Sequence, residues 1–261
     1  MMNYSILPPD WDERHAAYDP ARFSLFKADA KLQGYIMGKS PCGCYAIAVN
    51  PSDATFADRL IDFIRYENAH GRHVLIFSPD FSVEEILRHH TPVEGWRSTD
   101  APYAVHSTTL AAYESIQRDG CLKSTARLRR EGKAQKAIGF LPLGEPEDYL
   151  EYVMLASLDG GPGGGCLETV VNSHLRGEVC YDLHAPYTPQ ARMYLDARKI
   201  IGDGLAVRDG VHALKVHDTL PLEGYLLLSV FEKDVALPEG DAHWTPANFT
   251  NQADAYFMQN I

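Results

Sequence analysis

The chain has 261 residues, of which 45% are hydrophobic and 23% charged, a composition typical of a globular protein with one large domain or two modest ones. Its formal net charge of −11 disfavours non-specific nucleic-acid binding, because the whole molecule repels phosphate backbones at long range. The N-terminal stretch lacks a basic and an apolar region, and no run reaches the roughly 18 apolar residues that cross a membrane. We therefore expect a cytoplasmic protein without a membrane partner.

The cysteines and the common catalytic motifs give no sign of a metal site. Five cysteines form an odd set with one close pair, Cys42-Gly-Cys44, and no pair of histidines or cysteines at zinc-finger spacing lies nearby. Neither the G-x-S-x-G elbow of serine hydrolases nor the H-E-x-x-H helix of zinc proteases is present. We expect reduced thiols and no metal.

Residues 1–100 predict a small α/β domain. The apolar run 44–50, "CYAIAVN", predicts a buried strand, and 52–71 combines an N-cap, helical periodicity and a glycine stop. A second strand at 72–79 and a second capped helix follow. Turn and polar residues then cluster, which places the domain boundary near residue 100. The sequence leaves the role of this domain open.

Residues 101–261 predict an α+β domain, in which strand and helix come first and mostly strands follow. The segment 103–124 begins as an apolar strand, carries His106 near the strand end and then changes to helical periodicity. Further strands are predicted at 151–158, around 193–195, at 210–216 and within 220–235, with a capped helix over 166–179. The tract "GGPGGG", residues 160–165, predicts a mobile loop that acts as a lid.

The position of His106 indicates a binding corner. Ser107 and Thr108 follow it, and a helix that starts near Leu110 would point its free N–H groups and positive dipole end to the same place. Such a corner can hold an anion or a sugar hydroxyl. The alternative, which the local sequence favours, is that Ser107 or Thr108 caps the helix while His106 is a hydrogen-bonded core histidine.

Residues 123–136 carry a local surplus of positive charge. Against a single acidic residue, Glu131, stand six basic ones: Lys123, Arg127, Arg129, Arg130, Lys133 and Lys136. This surplus can meet a phosphate-bearing ligand, since arginine and lysine pair with phosphate. The alternative, which we favour slightly, is a solvated helix face.

Two separated segments together resemble a known family. Residues 106–124, "HSTTLAAYESIQRDGCLKS", resemble the opening of the NAD-using ADP-ribosyltransferase-like domains, in which a strand-borne histidine and a hydroxyl precede a helix. Residues 194–226 resemble the C-terminal strands of the KptA-type NAD-dependent RNA 2′-phosphotransferases. The matching positions there are Asp196-Ala197, Gly204, Asp209-Gly210-Val211, Leu220-Pro221 and Tyr225. Order and spacing together carry this resemblance, which covers residues 103–228.

The resemblance implies an ADP-ribosyltransferase-like fold that uses NAD as a co-substrate. In that superfamily the first-strand histidine hydrogen-bonds the ribose beside the nicotinamide, and this role falls to His106. The hydroxyls of Ser107, Thr108 and Ser157 would help to hold NAD. The implied catalytic set is completed by a third-strand position and two phosphate-binding arginines: Val211, Arg127 and Arg176.

The implied activity is cleavage of the nicotinamide–ribose bond and passage of ADP-ribose to an acceptor, which is a phosphorylated RNA, a nucleotide or a protein. One alternative is a protein- or nucleotide-modifying ADP-ribosyltransferase or an NAD glycohydrolase, acting as a toxin or a defence effector. Another is a catalytically silent module that binds a nucleotide or a partner, because Met154 stands where the family has its second-strand histidine. Residues 1–100 also differ from the family's N-terminal winged-helix RNA-binding domain.

Overall fold

A computed structural model describes residues 2–133, 144–158 and 162–261, with the backbone alone for 162–166. It mixes helices with several sheets, which is compatible with an α+β fold. The described residues form two compact units. The first unit contains residues 2–99, 144–149 and 208–212, and the second contains the other described residues.

The first unit is built on a five-stranded sheet. Its elements are β1 (Tyr4–Ile6), β2 (Phe23–Ala28), β3 (Tyr35–Lys39), β4 (Tyr45–Val49), α1 (Phe56–Ala69), β5 (His73–Phe77) and α2 (Glu84–His89). The strand order is β1-β5-β2-β4-β3, and only the β3–β4 pair is antiparallel among the described strands. Every residue of β4 is buried, as expected for a parallel strand covered on both faces.

Two later segments also belong to the first unit. In one of them, Asp148 accepts hydrogen bonds from Nη1 of Arg72 at 2.6 Å and from the hydroxyl of Tyr66 at 2.8 Å. In the other, Gly210 approaches α1 so closely that a Cβ would lie 2.2 Å from the carbonyl oxygen of Arg59. Sequence analysis predicted neither contribution, because both depend on contacts between residues far apart in the chain.

The second unit contains a six-stranded sheet and a separate two-stranded one. Its elements are β6 (Tyr103–Thr108), α3 (Leu110–Asp119), β7 (Cys121–Lys123), α4 (Thr125–Arg130), β8 (Tyr152–Ser157), α5 (Pro162–Arg176), β9 (Ala191–Asp196), α6 (Ala197–Gly202), β10 (Ala206–Val207), β11 (Leu214–His217), β12 (Thr219–Pro221), β13 (Leu226–Val230) and α7 (Pro246–Asn260). The large sheet has the order β10-β11-β8-β6-β9-β13 and its neighbours are antiparallel. Strands β7 and β12 form the small sheet.

Helices α5 and α7 pack on one face of the large sheet. Tyr194 of β9 stacks on Phe257 of α7 with ring centroids 4.2 Å apart, and Val105 of β6 belongs to the same buried cluster. Helix α5 begins at Pro162, a residue that suits the first helical position because it needs no N–H partner. The predicted loop over 160–165 is therefore wrong from Pro162 onward, and its first two residues lie outside the described part.

Within the described residues, no helix combines the length and the apolarity needed to span a bilayer. The thiols of Cys42, Cys44, Cys121 and Cys180 are free, and the side chain of Cys166 lies outside the described part. The described side chains also contain no group of three or more His, Cys, Asp or Glu residues that could hold a metal ion.

Candidate functional site

The predicted binding corner lies where β6 ends and α3 begins. Helix α3 starts at Leu110, as predicted, but its cap is Thr109, whose hydroxyl accepts from the amide of Ala112 at 3.2 Å. The alternative in which Ser107 or Thr108 caps the helix is wrong, because both residues still belong to β6 and are buried.

Two backbone amides at the start of α3 already donate hydrogen bonds to side chains of the second unit. The amide of Leu110 donates to Oε1 of Gln190 at 2.9 Å, and that of Ala112 donates to the cap. Gln190 is itself fixed, since its amide nitrogen donates to the carbonyl oxygens of Thr188 and Pro189 at 3.3 and 3.1 Å. An anion at this corner would find fewer free donors than an uncapped helix offers.

Ser107 points into the core of the second unit. Its hydroxyl donates to the carboxylate of Glu168 on α5 and accepts from Nη1 of Arg192 on β9 at 3.1 Å. Glu168 also accepts from the hydroxyl of Tyr187 at 2.8 Å, and Arg192 donates to Asp254 on α7 at 2.8 Å. We call these five residues the buried polar network. A hydrogen bond from Ser107 to NAD would have to replace one of these contacts, and that role stays a prediction.

The buried polar network places an ion pair inside the protein. Glu168 and Arg192 are both 0% exposed. Burial raises the pKa of Glu168, although the charge of Arg192 acts in the opposite direction. For Arg192, burial disfavours the charged form, but the carboxylates of Glu168 and Asp254 raise its pKa overall. Because each charge has a partner, the network ties β6, β9, α5 and α7 together.

His106 lies on the opposite face of β6 from Ser107, because side chains alternate along a strand. The residue as a whole is half-buried, and its Nδ1 atom is buried without a hydrogen-bond partner among the described residues. Burial lowers the pKa of His106 to about 4, while a hydrogen bond with the backbone of Met154 acts to raise it. The imidazole is therefore neutral at physiological pH and keeps one acceptor nitrogen.

Two of the predicted hydroxyls share a sheet face with His106. Thr108 lies two residues further along β6 and so faces the same side. Ser157, at the end of β8, pairs directly with Ala104 of β6, which also faces that side. The structure thus brings His106, Thr108 and Ser157 to one face, which we call the His106 face.

Arg127 lies on α4 and is paired with carboxylates of its own unit. Its Nη1 lies 3.2 Å from Asp218 and its Nε 2.8 Å from Glu131. Arg130 pairs with Glu151 at 2.9 Å and with Asp218. The hydrogen bond from Arg127 contributes most to lowering the pKa of Glu131 to about 2. These pairs favour the interpretation of the basic segment as a solvated surface.

Arg176 is the last residue of α5 and is exposed, with Nη2 3.2 Å from Oε1 of Glu178. Arg127 and Arg176 therefore each have a carboxylate partner that a phosphate would have to displace. Lys136, the last basic residue of the predicted surplus, lies outside the described residues.

Val211 does not occupy a strand, so the predicted third-strand position is wrong. It lies in the segment 208–212 of the first unit, where it is fully buried and its carbonyl oxygen accepts from Nη1 of Arg59 at 3.3 Å. The following strand, β11, starts only at Leu214. The side chain of Val211 serves the packing of the first unit.

Beside Val211 lies an aspartate–histidine pair that sequence analysis missed. Oδ1 of the buried Asp209 accepts from the amides of Val211 and His212 at 2.9 and 2.8 Å, and Oδ2 lies 2.8 Å from Nδ1 of His212. Because a carboxylate only accepts, Nδ1 of His212 is the donor in this pair. The Asp-x-x-His spacing was the available signal.

The residues implied by the resemblance thus divide into separate places. His106, Thr108 and Ser157 lie on the His106 face, Ser107 lies behind it in the buried polar network, and Val211 belongs to the first unit. Whether the second unit has the ADP-ribosyltransferase-like architecture stays a prediction. Comparisons with models of protein families, with curated proteins and with solved structures gave no match.

Proposed function

We propose that the second unit binds NAD at the His106 face and transfers its ADP-ribose group to an acceptor. The observation that supports this best is the state of His106. The ring is neutral, the residue as a whole is half-buried, and its Nδ1 is a buried acceptor without a partner among the residues described. A ribose hydroxyl is a donor that would satisfy this nitrogen once the atoms that bury it move aside. Thr108 and Ser157 add hydroxyl groups on the same face.

In the proposed reaction the bond between the ribose C1′ and the nicotinamide nitrogen breaks, and nicotinamide leaves with the bonding electron pair. C1′ becomes cation-like, and a nucleophilic oxygen of the acceptor then forms the new bond and releases any proton it carries to solvent. Such a reaction depends on orientation and charge placement more than on a strong base. A neutral His106 suits this requirement, because it can fix the ribose by hydrogen bonding.

A second candidate is a nucleotide-binding module without turnover. Met154 stands in place of the expected second-strand histidine, and the two arginines proposed for phosphate binding are already paired with Asp218, Glu131 and Glu178. These pairs favour binding through neutral hydrogen bonds over strong engagement of the phosphates. The acceptor classes remain phosphorylated RNA, a nucleotide or a protein.

The purified full chain should be incubated with NAD, with and without a 2′-phosphorylated RNA, while nicotinamide release is followed by mass. We expect NAD to bind in calorimetry and nicotinamide to appear when a suitable acceptor is present. Release without an acceptor would indicate an NAD glycohydrolase, and binding without release would favour the silent module. A folded chain that shows no heat of binding at millimolar NAD would overturn the proposal.

A further inference from the structure

The second unit carries a groove of about 550 Å³, a volume within the usual range of ligand sites. It lies on the side of the sheet that holds Ser107, since one of its walls, Tyr187, packs in the cluster around Val105. The groove is lined by two aromatic, two aliphatic and two polar side chains, among others: Tyr187, Trp244, Val235, Leu237, Glu232 and His243.

The aromatic walls of this groove are fixed in place. The amide of Tyr187 donates to the carbonyl oxygen of Trp244 at 2.9 Å, and its hydroxyl donates to the buried Glu168 at 2.8 Å. Trp244 packs edge-on against Phe249, with ring centroids 5.8 Å apart. A ligand would therefore meet walls that need little ordering, which lowers the entropic cost of binding.

The charge around the groove is negative. The exposed carboxylate of Glu232 lies at its rim, and none of the described residues that line it is lysine or arginine. The segment 231–244 contains four acidic residues and one lysine, Lys233, whose Nζ lies over the ring of Phe231 at 5.4 Å from its centroid. Together with the net charge of −11, this rim attracts cations and repels nucleic acid.

We propose that this groove binds an arginine side chain from a basic segment of a partner protein. A planar guanidinium can stack on the face of tryptophan and can pair with a carboxylate at the same time. The partly exposed Trp244 and the exposed Glu232 supply these partners around one groove, while the buried Tyr187 contributes to its lining. A nucleobase could also stack here, but the phosphates that accompany it would face the acidic rim. The inference is independent of NAD binding at the His106 face.

The probe is a capped peptide, Ser-Gly-Arg-Gly-Arg-Gly-Arg-Gly-Ser, titrated into the full chain at physiological ionic strength by calorimetry. Its matched control replaces each arginine with citrulline, which keeps the shape and removes the charge. We expect the arginine peptide to bind at least about ten-fold more tightly, and Glu232→Gln to lose about ten-fold in affinity. Glu239→Gln, an exposed change in the same segment outside the groove lining, should change the affinity less than about two-fold.

Several results would overturn the inference. If the citrulline peptide binds as tightly as the arginine peptide, the guanidinium charge does not contribute to binding. Equal losses of affinity in Glu232→Gln and Glu239→Gln would indicate general attraction to an acidic surface. A single-stranded oligonucleotide that binds more tightly than the peptide and competes with it would assign the groove to nucleobases. Trp244→Phe gives a second readout, since we expect it to weaken peptide binding while the melting temperature of each variant confirms that it is folded.

Discussion

His106 is the single residue on which the proposed function depends most. We expect His106→Ala to reduce nicotinamide release about 100-fold or more, because a ribose without its hydrogen bond is misplaced for bond cleavage. The melting temperature should change by only a few degrees, since the residue is half-buried and the change strands the backbone of Met154 but no partner of Nδ1 among the described residues. Enzyme assay and thermal unfolding of the same samples check both expectations.

A more conservative substitution of His106 separates the effect on stability from the effect on rate. His106→Asn keeps a polar group near one ring nitrogen and should restore stability better than it restores rate. His184→Asn, which changes an exposed histidine in the same unit, should alter neither. If His106→Ala instead lowers stability while turnover per folded molecule stays normal, His106 is a core histidine and has no role toward NAD.

Gly210 allows a second prediction for a single residue. Its φ of +73° is rare for residues with a side chain, and a Cβ would lie 2.2 Å from the carbonyl oxygen of Arg59 and 2.9 Å from the amide nitrogen of Phe63. Since both obstacles are backbone atoms of α1, we expect Gly210→Ala to lower the free energy of unfolding of the first unit by about 3 kcal/mol or more. Urea unfolding followed by circular dichroism measures this change.

The control for that experiment separates crowding from backbone conformation. Gly71 has a similar φ of +80° in the same unit, but a Cβ there would meet no atom within 4 Å. Gly71→Ala should therefore cost only about 1–2 kcal/mol, the penalty for a left-handed conformation. Equal losses in the free energy of unfolding of the two variants would show that the backbone of the segment 208–212 moves to accommodate a larger side chain.

At the scale of elements, the buried polar network holds strands and helices of the second unit together. Arg192→Met would leave Glu168 buried without its cation, and we expect a loss of about 3–5 kcal/mol in the free energy of unfolding. The surface pair gives the control: Arg176→Met removes an exposed partner of Glu178 and should cost less than about 1 kcal/mol. Similar losses in chemical denaturation would mean that the buried pair contributes no more than the surface pair.

The elements that the sequence predicted are those with a clear local pattern. The apolar run 44–50 is β4, and the helix and strand after it are α1 and β5. The three strands before residue 44, β1, β2 and β3, were not predicted. β1 has three residues, too few to show a period. The start of α5 was misplaced because glycines disfavour helices intrinsically, whereas here Pro162 and the glycines after it are helical.

The candidate site was harder to predict because its contacts join distant parts of the chain. The strand end at His106 and the helix start at Leu110 follow from local pattern, and both are found. The pairing of Arg127 with Asp218 joins residues 91 positions apart, and that of Ser107 with Glu168 joins residues 61 apart. No local spacing indicates such pairs. The sequence therefore showed a surplus of basic residues in this segment but not the carboxylates with which they pair in the fold.

For the whole molecule, the imidazole of His106 predicts how stability depends on pH. Its pKa in the folded protein is about 4, below its ordinary value of 6.5, so between these two values the unfolded chain binds a proton that the folded chain does not. Stability therefore rises with pH in this window and is lost as the pH falls through it. The lowered pKa of Glu131, about 2, also makes stability fall with decreasing pH, but at lower pH than His106 does. The raised pKa of Glu168 has the opposite effect, because its folded form binds a proton more readily than the unfolded chain does.

We expect the free energy of unfolding of the unmodified protein, measured in urea at steps between pH 6.5 and pH 4, to decrease more steeply than that of His106→Asn. The asparagine side chain binds no proton in either state, so the contribution of this position to the slope disappears. Equal slopes for the protein and His106→Asn would show that the His106 ring accepts a proton in the folded state as readily as in the unfolded chain. The neutral imidazole proposed to hold the ribose would then not persist in mildly acid solution, and NAD binding there should weaken as the ring becomes charged.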